Sequence, residues 1–322
     1  MNMLPIAASF AALIVLGIAA MLVFGTAGPP PMLTSLINPL DKIDFSDLPA
    51  IETIPARKGG TIAYRRWGVA DSAGDPTVIL IHGSALSSIS LHPLGKGLAA
   101  AGIAVYAPDI RGHGKTGRKG DIDYCGQLDD DLADFVTTVK TARPGSPLVL
   151  AGFSGGGGFA LRSAALLQGG TFERVVLLSP MLGIRAPTVK SGGEQWARLF
   201  IPRILALLVL NRFGIRAFDY LPVIAFAIPP ERADILTGSY SFRLLRAFTT
   251  AGYAADLKAT PSRIAVLVGE KDELFNAELF APTVQAVRAD AKVTVIPDIN
   301  HIELTTDPRA VPVIVAFIRG QG

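Results

Sequence analysis

Residues Pro147-Leu148-Val149-Leu150-Ala151-Gly152-Phe153-Ser154-Gly155-Gly156 contain the pattern that decides the fold. The apolar run that ends at Ala151 is typical of a buried strand, and residues 157–167 predict a helix. Between them lies the Gly-x-Ser-x-Gly turn 152–156. Glycine suits its flanking positions, because larger side chains would collide with neighbouring backbone in so tight a turn. This strand–turn–helix pattern predicts a nucleophile elbow, which exposes the Ser154 hydroxyl at a helix N-terminus.

A serine hydroxyl needs a base, and the chain contains four histidines, of which only His301 follows Ser154. An acid is then expected between Ser154 and His301, in a loop that follows a strand. The apolar run 264–269 predicts such a strand, and Glu270-Lys271-Asp272-Glu273 follows it. These residues leave three carboxylates as candidates, in the chain order serine, acid, histidine that accompanies a nucleophile elbow.

Four motifs in order give the chain a specific resemblance. They are Ile81-His82-Gly83-Ser84, Asp109-Ile110-Arg111-Gly112-His113-Gly114, the elbow at Ser154, and Gly269-Glu270-Lys271-Asp272 with His301 downstream. With them, about residues 60–320 resemble the α/β-hydrolase superfamily, and within it the lid-bearing serine hydrolases that include monoacylglycerol lipases and lysophospholipases. The resemblance implies an α/β fold with a mostly parallel central sheet, flanking helices and an inserted helical lid. A His-Gly-Gly-Gly loop is absent from the sequence, which argues against the lipases and esterases that use that motif.

The resemblance also implies the roles of the site residues. Ser154, His301 and Asp272 are the expected nucleophile, base and acid, while Glu270 and Glu273 are expected to be solvated loop charges. The backbone N–H groups of Ser84 and Gly155 are the expected oxyanion donors. By the same resemblance, His82 holds its loop, and Asp109, Arg111 and His113 brace a loop at a strand end rather than form a second catalytic site.

The N-terminal 40 residues carry no charged side chain. Residues 6–24 are almost continuously apolar and long enough to cross a bilayer as a helix. We expect 1–27 to be an uncleaved membrane anchor, with a cleavable signal peptide ending near Gly25-Thr26-Ala27 as the alternative. Residues 28–58 then form a Pro-rich tether. The few charges that flank this segment predict a catalytic domain outside the cytoplasm, although the asymmetry is weak.

The hydrolase core is expected to comprise residues 59–182 and 259–322, since the strand at 174–179 and the next core strand are too far apart for a plain crossover. The intervening residues 183–258 predict a helical lid, with apolar runs at 204–210 and 221–228. The lid contains ten Lys and Arg against five Asp and Glu, within a chain of net charge +3. An apolar, basic lid suits contact with anionic lipid. For the run 204–210 the sequence slightly favours the lid's own core instead, since a lid must bury apolar side chains to hold together.

The predicted function is hydrolysis of carboxylic esters, preferably of lipid type, by a serine acyl-enzyme mechanism that needs no cofactor or metal. The expected partners are a small-molecule or lipid ester and a membrane, contacted through the N-terminal helix and the lid. Nucleic acid is not expected, and the oligomeric state is left open. A peptidase, a thioesterase or a cofactor-free haloperoxidase shares the same constellation, and a silent binding scaffold can share the fold. The similar aminopeptidases often carry Trp after the serine, where this chain has Gly155.

Overall fold

Eight strands form the central sheet in a computed structural model of the chain, which describes residues 3–26, 28–31, 42–68, 74–167, 169–190, 196–250 and 252–322. Their order is β1-β2-β4-β3-β5-β6-β10-β11, and three further strands form a separate sheet, β7-β8-β9. The strands are β1 Glu52–Pro55, β2 Thr61–Trp67, β3 Thr77–Ile81, β4 Ala104–Pro108, β5 Leu148–Phe153, β6 Arg174–Leu178, β7 Ala197–Leu199, β8 Pro222–Phe226, β9 Ser239–Ser241, β10 Arg263–Gly269 and β11 Lys292–Ile296. The helices are α1 Met3–Phe24, α2 His92–Ala100, α3 Gln127–Ala142, α4 Gly155–Leu166, α5 Ile201–Arg212, α6 Phe242–Phe248, α7 Tyr253–Ala259, α8 Phe280–Gln285, α9 Glu303–Thr306 and α10 Val311–Arg319.

The mostly parallel sheet predicted from the sequence is confirmed. Strands β4, β3, β5, β6, β10 and β11 are parallel to one another, while β1 and β2 are antiparallel additions at one edge. The end of the predicted tether contributes to the sheet, because β1 pairs with β2. Every residue of β3 and β5 is buried, as their continuous apolar sequences require of strands covered on both faces. Parallel strands end at one edge of the sheet, so the loops after β5, β10 and β11 lie together.

The lid differs in part from the prediction, because it contains a three-stranded antiparallel sheet as well as helices. The apolar run at 221–228, predicted within a helical lid, forms the central strand β8. This segment is rich in strand-forming side chains, it lies between Leu221 and Pro229, and Val223 to Phe226 are buried. Pro229 and Pro230 directly after the run limit its length, which suits a short strand better than a helix.

The first helix, α1, occupies the segment predicted to span a membrane. Its backbone is described from Met3 to Phe24, and its side chains only from Ser9 onward, without residue 11. Among the described residues, no helix is at once long and apolar enough to cross a membrane. The predicted transmembrane helix, and the membrane anchoring through it, are therefore not supported by the structure. The predicted location outside the cytoplasm stays a prediction.

The C-terminal end of α1 lies against the lid. The buried guanidinium of Arg203, near the start of α5, donates hydrogen bonds to the carbonyl oxygens of Leu22 (2.8 Å) and Val23 (3.3 Å). It also donates to the carbonyl of Pro222 in β8 (2.8 Å). A cation is favourable here because the carbonyls at a helix C-terminus carry partial negative charge. One buried arginine therefore joins α1, α5 and β8.

Candidate active site

Ser154 lies in the turn between β5 and α4, as the elbow pattern predicts. Its backbone has φ 54° and ψ −120°, in a region that residues with a side chain rarely adopt. The conformation is held by its own backbone groups, because the Ser154 N–H donates to Leu178 (2.8 Å) and its carbonyl accepts from Gly157 and Met181 (both 2.9 Å). The turn is thus bound to the neighbouring strand β6 and its loop, which offsets the local strain.

The elbow glycines differ in how strictly glycine is required. A Cβ at Gly152 would lie 2.3 Å from the carbonyl oxygen of Gly156, and one at Gly156 would lie 2.2 Å from that of His82. These neighbours are backbone atoms that cannot move aside. A Cβ at Gly155 would lie 2.2 Å from the side-chain Oγ of Ser84, which can rotate away.

Gly156→Ala and Gly155→Ala should therefore have different effects on stability. Both changes gain the same helix propensity in the first turn of α4, about 1 kcal/mol. We expect Gly156→Ala to destabilise the protein by about 3 kcal/mol or more, as severe overpacking does, and Gly155→Ala to remain close to wild type. Urea unfolding midpoints of the two variants test this, and equal midpoints would contradict the assignment of the clash to His82.

The base predicted for Ser154 is in contact with it. His301 follows β11, and its Nε2 lies 3.0 Å from Ser154 Oγ. The imidazole is almost fully buried between the rings of Phe153 and Phe275, with centroid distances of 4.8 and 5.3 Å. This packing leaves the ring little freedom to leave the serine.

Of the three candidate carboxylates, Asp272 is the one that contacts the histidine. Its Oδ2 lies 2.7 Å from His301 Nδ1, and its Oδ1 accepts hydrogen bonds from the N–H groups of Leu274 (2.9 Å) and Phe275 (3.0 Å). Burial by itself would raise the pKa of Asp272, but the charge and hydrogen bond of His301, with the hydrogen bond from the Leu274 N–H, lower that pKa below its usual value. The carboxylate is therefore ionised, and it orients the imidazole with Nδ1 protonated.

The two other carboxylates accept hydrogen bonds from backbone N–H groups of the loop that carries His301. Exposed Glu270 accepts a hydrogen bond from the N–H of Asp298 (3.1 Å). Glu273 is half-buried and accepts from the N–H of His301 itself (2.9 Å), so it is more than the solvated charge that the sequence predicted. Lys190, which sequence reasoning missed, donates from Nζ to the carbonyl of Asp272 (2.6 Å). Neither contact has a local sequence signal, since each joins segments distant in the chain.

The predicted oxyanion donors lie side by side. An ideal Cβ on Gly155 would be 3.3 Å from the Ser84 nitrogen, so the two amides adjoin the nucleophile from neighbouring loops. Within the residues that the structure describes, neither N–H donates a hydrogen bond to another group of the protein. Gly155 is also the first residue of α4, where the helix dipole favours negative charge. The arrangement leaves two donors available to an oxyanion beside Ser154.

The other motif residues hold loops, as expected. The Asp109 carboxylate accepts hydrogen bonds from the N–H groups of Ser88 and Lys115 (both 2.8 Å). Arg111 forms a buried, bidentate ion pair with Asp131, in which Nε and Nη2 donate to the two carboxylate oxygens at 2.6 and 3.0 Å. Burial lowers the pKa of both His82 and His113, which keeps these two histidines neutral.

A small apolar cavity adjoins the site. Its volume is about 20 Å³, and the residues that line it are Gly83, Ser84, Leu86, Phe153, Ser154, Trp196, Leu274, His301 and Ile302. Small-molecule pockets usually have ~300 Å³ or more, so the lid closes over Ser154 in this conformation. Trp196, another residue that the sequence did not indicate, packs over the site against Phe226 of β8, with ring centroids 6.1 Å apart. Access of a larger molecule to Ser154 therefore requires displacement of the lid.

Comparison with known proteins gives a family match over most of the chain. The family model described as Hydrolase_4: Serine aminopeptidase, S33, matches residues 73–309. A monoacylglycerol lipase of Mycolicibacterium smegmatis (strain ATCC 700084 / mc(2)155) is 34% identical over 125 residues, which are 38% of this chain and 43% of that protein. A monoglyceride lipase homolog of monkeypox virus is 32% identical over 110 residues, 34% of this chain and 40% of that protein. The chain thus spans less than half the length of these curated relatives.

The fold is shared with solved structures over nearly the whole chain. A soluble variant of monoglyceride lipase from Saccharomyces cerevisiae, in complex with a substrate analog, superposes with a TM-score of 0.59 at 19% identity. The superposition covers 86% of this chain and 96% of that one. At this identity the likeness concerns the fold alone.

Proposed function

Because the chain belongs to the Hydrolase_4 (serine aminopeptidase, S33) family and has the α/β-hydrolase fold, we propose that it is a serine hydrolase that cleaves carboxylic esters of lipid type. The observation that carries the proposal is the continuous line from Ser154 Oγ through His301 to buried Asp272, at 3.0 and 2.7 Å. A binding scaffold would have no need of all three groups in hydrogen-bonding order. The adjacent pair of N–H groups adds the electrostatic part of the same chemistry.

The proposed reaction begins with attack of Ser154 Oγ on the ester carbonyl, while His301 Nε2 takes the hydroxyl proton. The carbonyl oxygen becomes an oxyanion between the N–H groups of Ser84 and Gly155, and ionised Asp272 stabilises the imidazolium. Collapse of this intermediate breaks the ester C–O bond, and His301 returns the proton to the leaving alcohol. Water, deprotonated by His301, then releases the acid from the acyl-enzyme and restores Ser154.

The lipid preference is supported by the cavity and by the relatives. The side chains that line the cavity are mostly apolar, including Leu86, Trp196, Leu274 and Ile302. The two curated relatives named above bear the names of lipases that act on monoglycerides. A peptidase with Trp after its serine is a poor fit, because a side chain larger than methyl at Gly155 would meet the Phe248 ring and the Ser84 backbone nitrogen, which lie 3.1 and 3.3 Å from an ideal Cβ.

A fluorophosphonate probe tests the proposal, because it phosphonylates only an activated serine. The full-length protein should be labelled, and it should hydrolyse p-nitrophenyl esters and monoacylglycerols with rates that rise with acyl length. Each buried methylene contributes at most about 0.8 kcal/mol. A protein that is labelled but prefers thioesters or peptide amides would redirect the proposal to those bonds, and absence of both labelling and hydrolysis would refute it.

The outer face of the lid gives a sharper prediction about lipid substrates. In α5, Leu207 is fully buried, whereas Leu208 is 48% exposed beside the exposed Leu205. The apolar run at 204–210 thus divides into a core face and a surface face. Exposed Phe213 and the exposed arginines Arg212 and Arg216 continue this surface. Apolar side chains flanked by basic ones suit contact with an anionic lipid aggregate.

We expect Leu208→Asp to weaken hydrolysis of monoacylglycerol in anionic vesicles about tenfold, the loss that corresponds to one leucine withdrawn from lipid. Hydrolysis of a water-soluble acetate ester should not change. Leu166→Asp is the matched control. This leucine lies outside the lid, at the end of α4, and its side chain is 57% exposed. Equal losses on both substrates would mean that Leu208 supports the lid fold instead.

A further inference from the structure

A line of hydrogen bonds connects the lid to the loop that carries Ser84. Its lid member is Tyr240 in β9, whose side chain is 1% exposed. The Tyr240 hydroxyl lies 2.6 Å from the backbone nitrogen of Ala85 and 2.5 Å from Nε2 of His113. Tyr240 has no place in any of the sequence motifs, and it lies 155 residues beyond the loop that it contacts.

The direction of each hydrogen bond follows from the chemistry of the partners. His113 Nδ1 lies 3.0 Å from the carbonyl oxygen of Ile110, which can only accept, so Nδ1 carries the proton. Nε2 of the neutral ring is then the acceptor for the Tyr240 hydroxyl. The oxygen of that hydroxyl in turn accepts from the Ala85 N–H. All three groups are thereby satisfied.

The line continues to the other side of Ser84. The Ile110 N–H donates to Nε2 of His82 (3.0 Å), and His82 Nδ1 donates to the carbonyl of Gly83 (2.9 Å). That carbonyl belongs to the same peptide group as the Ser84 N–H. His82 therefore holds the carbonyl of the Gly83–Ser84 peptide group, whose N–H is the predicted oxyanion donor. Tyr240 holds the next peptide group, through the Ala85 N–H.

The backbone at Ala85 needs this support. Its φ is 65°, a left-handed conformation that costs energy for a residue with a Cβ. A second lid contact holds it, because the Thr237 N–H donates to the Ala85 carbonyl (2.9 Å). Both backbone groups of Ala85 are thus bonded to the lid segment 237–240.

The network is electrically neutral. Burial raises the pKa of the Tyr240 hydroxyl and, with the neighbouring His82, lowers the pKa of His113. Neither group changes its charge near neutral pH, so the hydrogen bonds keep one direction. Chains of this kind also polarise one another in a low-dielectric interior.

We propose that Tyr240 is a positioning residue for the Ser84 oxyanion donor, and that the lid thereby sets the geometry of the oxyanion hole. The inference rests on the proposed acyl transfer, which is the reaction that forms an oxyanion there. A lid displaced far enough to release Tyr240 and Thr237 would free Ala85 from its strained conformation and move the Ser84 N–H. The site would then be competent only when this part of the lid is in place.

The test is Tyr240→Phe, which keeps the ring and removes the hydroxyl. Loss of a whole oxyanion donor costs ~10²–10³ in kcat, so we expect misalignment of one donor to lower kcat about 10- to 100-fold. The KM for a soluble ester should stay within about twofold, because the ground-state carbonyl makes little use of the donor. Affinity for a trifluoromethyl ketone, which forms a tetrahedral oxyanion adduct on the serine, should fall in proportion to kcat/KM. Tyr220→Phe, the same change at an exposed lid tyrosine, should leave all three quantities unchanged.

A second variant keeps the proposal falsifiable if Tyr240→Phe folds poorly. His113→Leu removes the ring nitrogen that accepts the Tyr240 proton and supplies no other acceptor, so it should lower kcat in the same way. The double variant should lose no more than the worse single variant, because both act through one network. Wild-type kcat in folded Tyr240→Phe, or additive losses in the double variant, would overturn the inference. A wild-type protein that neither labels nor hydrolyses esters would instead refute the proposed function.

Discussion

Ser154→Ala is expected to lower ester turnover by ~10⁴-fold or more, as removal of the nucleophile does in other triads. The Oγ that the change removes contacts His301 at the surface of a cavity, whereas the turn is held by backbone hydrogen bonds that alanine preserves. The variant should therefore unfold at the same urea concentration as wild type, and it should fail to react with a fluorophosphonate.

Ser163→Ala is the matched control, because it makes the same change at a buried serine of α4 that lies outside the site. It should keep both turnover and labelling. An alanine at 154 with wild-type turnover would remove the proposed mechanism altogether, whereas loss of both activity and stability would show that the hydroxyl supports the turn.

Asp272→Asn is expected to have the second largest effect, about 10⁴-fold in kcat, because an amide leaves the imidazole in the wrong tautomer. Glu270→Gln should be close to wild type, since Glu270 is exposed and its hydrogen bond goes to the N–H of Asp298 rather than to His301. Glu273→Gln should fall between them, because Glu273 holds the backbone of His301 rather than its ring. Turnover of one soluble ester by the three variants gives the ranking, and a crippled Glu270→Gln would move the acid to that residue.

The same aspartate makes a prediction about stability. The pKa of Asp272 is depressed in the folded protein, so the ionised carboxylate stabilises the fold above the ordinary Asp range. That contribution is lost as the pH falls from the ordinary range through the depressed pKa. Urea midpoints measured from neutral to acidic pH should fall less steeply for Asp272→Asn than for wild type.

Much of the core could be predicted because its signals are local. The elbow is contained in one pentapeptide, and the buried strands show as continuous apolar runs. Asp272 was the candidate that the superfamily resemblance selected, and the structure brings it, rather than Glu270 or Glu273, to the His301 ring. Local spacing alone could not make this choice, since all three carboxylates lie within four residues.

The lid could be predicted less well. The run at 204–210 is apolar all round, so its sequence does not show which face is buried, and Leu207 and Leu208 have opposite environments. The run at 221–228 is too short to distinguish a strand from a buried helix by periodicity. Tyr240 and Trp196 were missed because their roles come from contacts between distant segments. Tertiary packing alone brings these side chains to the site.

The arginine that joins α1, α5 and β8 constrains how the lid can move. Arg203 is a charged donor whose guanidinium lies against three carbonyl oxygens, so a motion that separated these elements would break charge-assisted hydrogen bonds to all three. A displacement of the lid that keeps these hydrogen bonds would move α5, β8 and the last turn of α1 as one body.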